Sequence, residues 1–424
     1  MDLLETSPPP NIWGVAGFRP FMLSLVLVTL ANQIQGTVVA YQIYELTHDP
    51  LSLGAVGLAE ALPFIALALL GGHIADARDR RRISLVVLVV MMAMSLCLYA
   101  FTLERGALGV ARHKFAIYSV IVVLGVCRSF LQPARAALNS ELLPQSLFAK
   151  AIAIRTSLFQ LAMVSGPAGG GLLYAAFGPG RAYLFSAALV VVSWSAMYRV
   201  PKLRQQPMAP KSGLSVARSI RQGFSYLASD RLLLAALLLD LFGVLFGGAT
   251  ALLPVYANEI LAVGSRGFGI LRAAPAVGAL ATSVLLASRP PLRRAGPTVL
   301  AATAAFGLLT IAFGVSKSFW LSIALLALSG VADMVSVVVR STLLQLRVPG
   351  HLLGRVASIN QIFIGSSNEI GAFESGVAAR LLGTVPSVVL GGAITIAVTL
   401  AVAWRVPELR RLDKIEGDLD ARAA

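Results

Sequence analysis

Glu60, Arg128, Asp240, Arg272, Asp333, Glu369 and Glu374 all stand inside long apolar stretches of the chain. An ionisable group at that depth costs roughly 2.5–3.5 kcal/mol on insertion scales, so such groups mark function by default. Three chemistries are open to them: reversible protonation of a buried carboxylate, ion pairing, and contact with a charged ligand. Counting about 1.5 Å per residue from the nearest end of each stretch, Glu60, Arg272 and Glu374 fall toward one membrane face. They are expected to form an outer set of gate charges. Asp240, Arg128, Asp333 and Glu369 fall deeper and are expected to bind proton or substrate. Asp333 also has two candidate partners for a static ion pair, Arg340 seven residues on and Arg128. Asn32, Gln35, Asn368, Arg128 and Glu369 form the candidate substrate cavity. Asn32 and Gln35 share one helical face, although hydrogen bonding between helices explains them equally well. Tyr41, Tyr44, Phe64, Phe242, Phe246 and Tyr256 offer rings to a flat ligand, or simply pack.

The elements that carry these residues are legible from composition. Of 424 residues, 57% are hydrophobic and 13% charged, against about 25% charged in a soluble protein. Mean hydropathy is +0.79. A membrane helix needs about 20 apolar residues, and such runs recur six times between residues 20 and 200 and six times between 231 and 405. They are too long for barrel strands. The expected fold is an all-α membrane protein of twelve transmembrane helices. Its parts are a six-helix bundle over 1–200, a basic linker over 201–230, a second bundle over 231–406 and a tail over 407–424. Within the linker, Leu214–Leu227 is amphipathic and suits a membrane surface. The Met1–Pro10 tail has no basic n-region and no cleavage site, so it is not a signal peptide.

Charge sets the orientation. Net charge is +15, and most Lys and Arg fall in the loops on the side of the two termini and the linker, which places that side in the cytosol. The same rule explains the basic balance without nucleic acid, for which there is no fold signature. Cys97 and Cys127 both lie in apolar runs, giving neither a disulfide framework nor metal spacing. The four histidines fall in or beside loops, and no phosphate-binding loop is present. No enzyme, metal or cofactor is expected, and transport would draw on a gradient.

The halves resemble each other. A constant offset carries Arg19 onto Arg231, Gly36 onto Gly248, Tyr44 onto Tyr256, Pro63 onto Pro275 and Arg81–Arg82 onto Arg293–Arg294. Past a longer loop, a slightly shorter offset carries Arg135 onto Arg340, Pro144 onto Pro349, and Gly166 and Gly171 onto Gly371 and Gly376. Under these offsets Glu60 matches Arg272 and Arg128 matches Asp333. Parallel six-helix repeats with a site between them are a transporter design.

Between the second and third runs stands the loop Gly72-His73-Ile74-Ala75-Asp76-Ala77-Arg78-Asp79-Arg80-Arg81-Arg82. It resembles the signature G-x-x-x-D-x-x-G-R-[RK] of the major facilitator superfamily, with Gly72, Asp76, Arg80 and Arg81 in the pattern and Asp79 where the family has Gly. Gly166-Pro167-Ala168-Gly169-Gly170-Gly171 resembles the G-P-x-x-G-G stretch of its antiporters, with Gly166, Pro167, Gly170 and Gly171 matching. Ala153 and Ala162 stand near the places of the upstream glycines. Gln42-Ile43, Leu46-Thr47-His48 and Leu353-Gly354-Arg355-Val356 are similar to the enterobactin-exporter branch. The resemblance implies two pseudo-symmetric bundles, the first, fourth, seventh and tenth helices lining a central cavity, and proton-coupled efflux of a small amphipathic metabolite, siderophore or drug. It makes Asp240 and Asp333 the expected proton-coupling carboxylates. The expected partners are a small-molecule substrate, protons and the lipid bilayer of an inner membrane, with the chain a monomer. An uptake symporter, a lysolipid flippase and a non-transporting membrane protein remain as alternatives.

Overall fold

A computed structural model describes residues 12–103, 110–143, 147–202, 216–247, 249–287 and 294–413. Within a bilayer, only helices or closed barrels satisfy every backbone polar group, and the described segments are helical apart from short connections. The first half holds α1 (Phe18–Thr47), α2 (Pro50–Ala77), α3 (Arg80–Leu103) and α4 (Val110–Leu142). The helical run Phe148–Tyr198 then breaks at Gly178, whose φ of 76° and ψ of 174° leave the helical region. Glycine adopts this conformation without strain, and Pro179 after it suits a helix start. The run is therefore two rods, α5 (148–177) and α6 (179–198). The second half holds α7 (beginning as Arg231–Phe246), α8 (Gly264–Ala287), α9 (Ala295–Val315), α10 (Phe319–Arg347), α11 (Gly350–Leu382) and α12 (Thr384–Arg405).

Two departures from uniform spans concern the site. α7 runs as regular helix over Arg231–Phe246, then continues as a 3-10 turn (Ala249–Leu252), a short α turn (Leu253–Val255) and a π turn (Tyr256–Ile260). α11 is too polar to count among the ten described helical stretches that are apolar enough to cross a membrane. It nevertheless has 33 residues and packs against α2, α7 and α12. With the α5–α6 run divided and α11 added, twelve rods emerge.

Local signals start several helices. The Asp49 carboxylate accepts from Leu51 N–H at 3.1 Å and Asp230 from Leu232 N–H at 3.0 Å, both as N-caps. Asp79 accepts from the N–H groups of Arg81 and Arg82 at 3.0 and 3.2 Å. At the place where the superfamily pattern has Gly, Asp79 thus caps α3. An amphipathic helix, Val216–Ser229, precedes α7, and Tyr226 O–H donates to the Arg347 carbonyl at 2.7 Å. Linker residues 203–215 and tail residues 414–424 lie outside the described residues.

The packing shows how the halves meet. One core draws on both, joining Val38, Tyr41 and Tyr44 of α1 to Leu252, Tyr256 and Phe268 of α7 and α8. It lies at the end remote from the linker. At the linker end are two separate cores. Phe18, Phe21, Leu142 and Val200 belong to the first half alone; Leu227, Leu233, Leu344 and Leu409 belong to the second alone. The halves are thus joined at one end and apart at the other. On the outer faces Trp320, Trp404, Leu381 and Phe115 are mostly exposed, a surface suited to lipid rather than water.

Glycines permit the closest crossings at the joined end. A Cβ on Gly171 of α5 would lie 2.6 Å from Gly269 Cα on α8, and one on Gly376 of α11 would lie 2.9 Å from Gly54 Cα on α2. α5 against α8 and α11 against α2 are equivalent under the internal repeat, so the duplication is visible as two matching contacts.

Candidate functional site

At middle depth the space between the halves is crossed by charge. Arg128 of α4 places one guanidinium nitrogen 3.0 Å from Glu60 of α2 and 3.1 Å from Glu369 of α11. A single arginine therefore ties a carboxylate of its own half to one of the other. Its guanidinium also lies 4.9 Å from the centre of the Phe64 ring, within cation–π range. Arg272 of α8 is within electrostatic reach of both carboxylates and lies 5.9 Å from the Phe268 ring centre. The four groups balance in charge, and Glu60, Arg128 and Glu369 remain part-exposed to the space between the halves.

This arrangement corrects the expected sorting by depth. Glu60 was assigned to an outer set and Arg128 and Glu369 to a deeper one, yet all three meet at one level. Counting from the ends of apolar runs assumes helices of equal overhang, and the helices that carry these residues differ in length, at 28 residues for α2 and 33 for α4 and α11. Among the described residues Glu60 pairs with Arg128, and no ion pair joins it to Arg272. Glu374, five residues beyond Glu369, is part-buried and makes no ion pair among the described residues.

A second polar group lies inside the second half. Asp240 of α7 forms an ion pair with the buried Arg340 of α10. Asp333 of α10 has no ion-pair partner within 4 Å among the described residues, so neither Arg340 nor Arg128 holds it as the static alternative required. Asp240 and Asp333 instead line one small cavity of about 20 Å³ with Thr303, Phe306 and Ser336, room for about one water molecule. Sequence reasoning singled out both carboxylates from their types but considered Arg340 only as an alternative partner for Asp333, not for Asp240. Seven-residue spacing along one helix was the only signal available, while the true partner lies on another helix.

The polar residues expected in the cavity divide. Asn32 and Asn368 are exposed, and Asn368 Nδ2 donates to the Ile364 carbonyl of its own helix at 2.7 Å. Gln35 is buried and accepts from Ser95 O–H at 2.6 Å, a bond between α1 and α3. Thus Gln35 follows its interhelical reading, whereas Asn32 and Asn368 remain available to a ligand.

The signature loop is anchored at the linker end. Arg80 pairs with Glu141, and Arg81 donates to the Tyr198 carbonyl and lies 5.2 Å from that ring's centre. A Cβ on Gly72 would meet nothing within 4 Å, whereas one on Gly71 would strike the Ser129 backbone. The close-packing role expected of Gly72 therefore falls to its neighbour. The Asp76 side chain lies outside the described residues. In the G-P-x-x-G-G stretch, Gly166 and Gly170 admit Gln33 and Ile34 of α1, and Gly171 faces α8. The motif thus serves one contact within the first half and one between halves.

Sequence reasoning missed the polar latch at the joined end. Tyr41 O–H donates to Asn258 at 2.5 Å, Tyr44 O–H donates to Glu259, and Arg380 lies 3.5 Å from Asp49. Each joins one half to the other. Asn258 and Glu259 read as loop residues beyond the seventh apolar run, and the π turn that carries them has no sequence pattern of its own.

The comparisons with known proteins agree with this architecture. The family described as "transmembrane secretion effector", a division of the major facilitator superfamily, matches residues 15–422. The chain is 28% identical over 420 residues to the enterobactin exporter EntS of Shigella flexneri, covering 97% of this chain and 95% of that protein. It is 27% identical over 417 residues to the EntS of Citrobacter koseri, with the same coverage. Among solved structures, a mutant of the nucleoside transporter NupG superposes with a TM-score of 0.69 at 12% identity, covering 92% of this chain and 99% of that one. A D-xylose–proton symporter gives 0.68 at 13%, covering 92% and 97%; these two speak for the fold alone. The chain belongs to the major facilitator superfamily, in the branch of the enterobactin exporters, and is an integral membrane transporter rather than an enzyme.

Proposed function

We propose that the protein is a proton-coupled exporter of the inner membrane, moving a small amphipathic metabolite, siderophore or drug outward. The observation that carries this reading is the cross-half bridge Glu60–Arg128–Glu369 at middle depth, set between a joined end and an end where the cores are separate. A charged layer that one rocking motion keeps and another breaks suits alternating access. With the basic linker and the termini in the cytosol, the open end faces the cytosol, the state in which an exporter loads. The relatives named as enterobactin exporters and the G-P-x-x-G-G stretch support the outward direction. Glu60, Arg272 and Glu374 act as gate charges, with Arg128 and Glu369 completing the bridge that cargo must pass. Asn32 and Asn368 contact the cargo, and Gln35 fixes α1 beside them.

For proton coupling Asp333 is the stronger of the two carboxylates, because Asp240 already has Arg340. Asp333 shares the small cavity, so a proton has both a carboxylate and space for a water to reach it. Protonation of Asp333 would reset the balance of the Asp240–Arg340 pair beside it and couple the proton to the tilt of α7 against α10.

The test compares metabolites inside and outside cells that lack the protein with those that overproduce it. A compound retained by the deletion strain and enriched in the medium on overproduction supports export and names the cargo. Depletion of a compound from the medium on overproduction would overturn export in favour of uptake. A lysolipid that alone changes leaflet would point to a flippase.

A further inference from the structure

Arg128 reaches across to Glu369, so its face of α4 looks into the space between the halves. Helical periodicity places Gln132, Arg135 and Asn139 on that same face, descending toward the open end. Gln132 is exposed. Nε and Nη2 of Arg135 are out of reach of solvent and have no hydrogen-bond partner, as is true of Asn139 Oδ1 one turn further. No ion pair reaches Arg135 among the described residues.

The internal repeat shows that this is a departure. Arg135 corresponds to Arg340, which is neutralised by Asp240 of α7. The first-half counterpart of Asp240 is Val28 of α1, fully buried and apolar. The counterparts of Gln132 and Asn139 in α10 are Val337 and Leu344. A stripe that is apolar around a closed ion pair in one half is polar and cationic in the other, with its arginine left open. Arg135 is part-buried, so its guanidinium stays within reach from the open side, while the two nitrogens without solvent or partner are held at a cost, and its planar fork matches a carboxylate or similar oxyanion.

We infer that Arg135 is the anion-docking residue of the cargo path, receiving a carboxylate-like group of an amphipathic solute two helical turns on the open side of the Arg128 bridge. This rests on the transporter reading above and adds the chemical class of the cargo. The solute meets Arg135 first and Arg128 next, so an anionic head is led toward the layer that must break.

The test uses the purified full chain in detergent and reads melting temperature, independent of any transport assay. Arg135→Met is expected to melt no lower than the unmodified protein, because it removes a charge that nothing pairs, whereas Arg340→Met melts lower because it strands Asp240. The amphipathic carboxylate 1-naphthoate is expected to raise the melting temperature of the unmodified protein, while neutral 1-naphthamide does not. Arg135→Met should abolish that rise and Arg135→Lys retain part of it. An Arg135→Met protein that melts as low as Arg340→Met, or that keeps the full naphthoate shift, overturns the inference. So does a naphthoate shift absent from the unmodified protein, or one erased by anionic phosphatidylglycerol added to the micelles, which would make the ligand a lipid. Failure here leaves the export test intact, and failure of the export test leaves the binding result readable.

Discussion

Arg128 serves two carboxylates with one guanidinium nitrogen, at 3.0 and 3.1 Å, so its loss exposes more than a single missing contact. Arg128→Gln leaves Glu60 and Glu369 with only Arg272 to balance them. We expect export of the identified compound to fall at least tenfold at equal membrane abundance. Arg128→Lys should recover only part, since an ammonium lacks the planar fork. The Asp240–Arg340 pair tests a different property. Breaking a buried pair by removing one partner costs about 3–5 kcal/mol, so Asp240→Asn should lower the melting temperature clearly, and Asp240→Leu combined with Arg340→Met should restore much of it. Asp333→Asn should leave melting nearly unchanged while abolishing the response of export to an imposed proton gradient. If Asp333→Asn exports with unaltered gradient dependence, Asp333 has no coupling role. Sequence reading located these charges well, because an ionisable residue in an apolar run stands out by type. Their pairing was not legible: the partners of Arg128 and Asp240 lie on other helices, and one-dimensional depth put Glu60 at the wrong level.

At the scale of elements, glycine decides where helices touch. Gly171 and Gly376 sit where α5 meets α8 and where α11 meets α2, with no room for a Cβ. Gly169, two residues from Gly171, faces open space. Gly171→Ala should therefore loosen the joined end and Gly169→Ala should not. With Cys97 and Cys127 replaced by Ser, Val38→Cys, buried in the shared core, should react with an impermeant maleimide several-fold faster in the Gly171→Ala background. Equal labelling in both glycine variants would show that this crossing does not hold the joined end. The helices themselves were plain in the sequence as runs of spanning length, whereas the bend at Gly178 was visible only as the gap between the fifth and sixth runs. The broken course of α7 beyond Phe246 was hidden, because its residues stay largely apolar through the 3-10 and short α turns as far as Tyr256 and periodicity does not separate those forms. The signature loop was readable as a motif but not in its geometry: Asp79 caps α3 where a glycine turn was the pattern, and Gly71 takes the contact expected of Gly72.

At the scale of the molecule, the two halves share one core at one end and keep separate cores at the other. This suits a repeated sequence whose halves both keep a glycine at the crossing, Gly171 and Gly376, while their charges diverge. Orientation is testable directly. In the same cysteine-free background His48→Cys, at the joined end, should label from outside intact cells, and Arg411→Cys only after permeabilisation; the reverse pattern would invert the cleft. The most direct test of alternating access joins the halves covalently. Tyr44→Cys and Glu259→Cys replace a contact that links them at the joined end. Oxidising this pair should stop export of the compound identified in the medium, and reduction should restore it. Undiminished export by quantitatively cross-linked protein would contradict a mechanism in which that end must open.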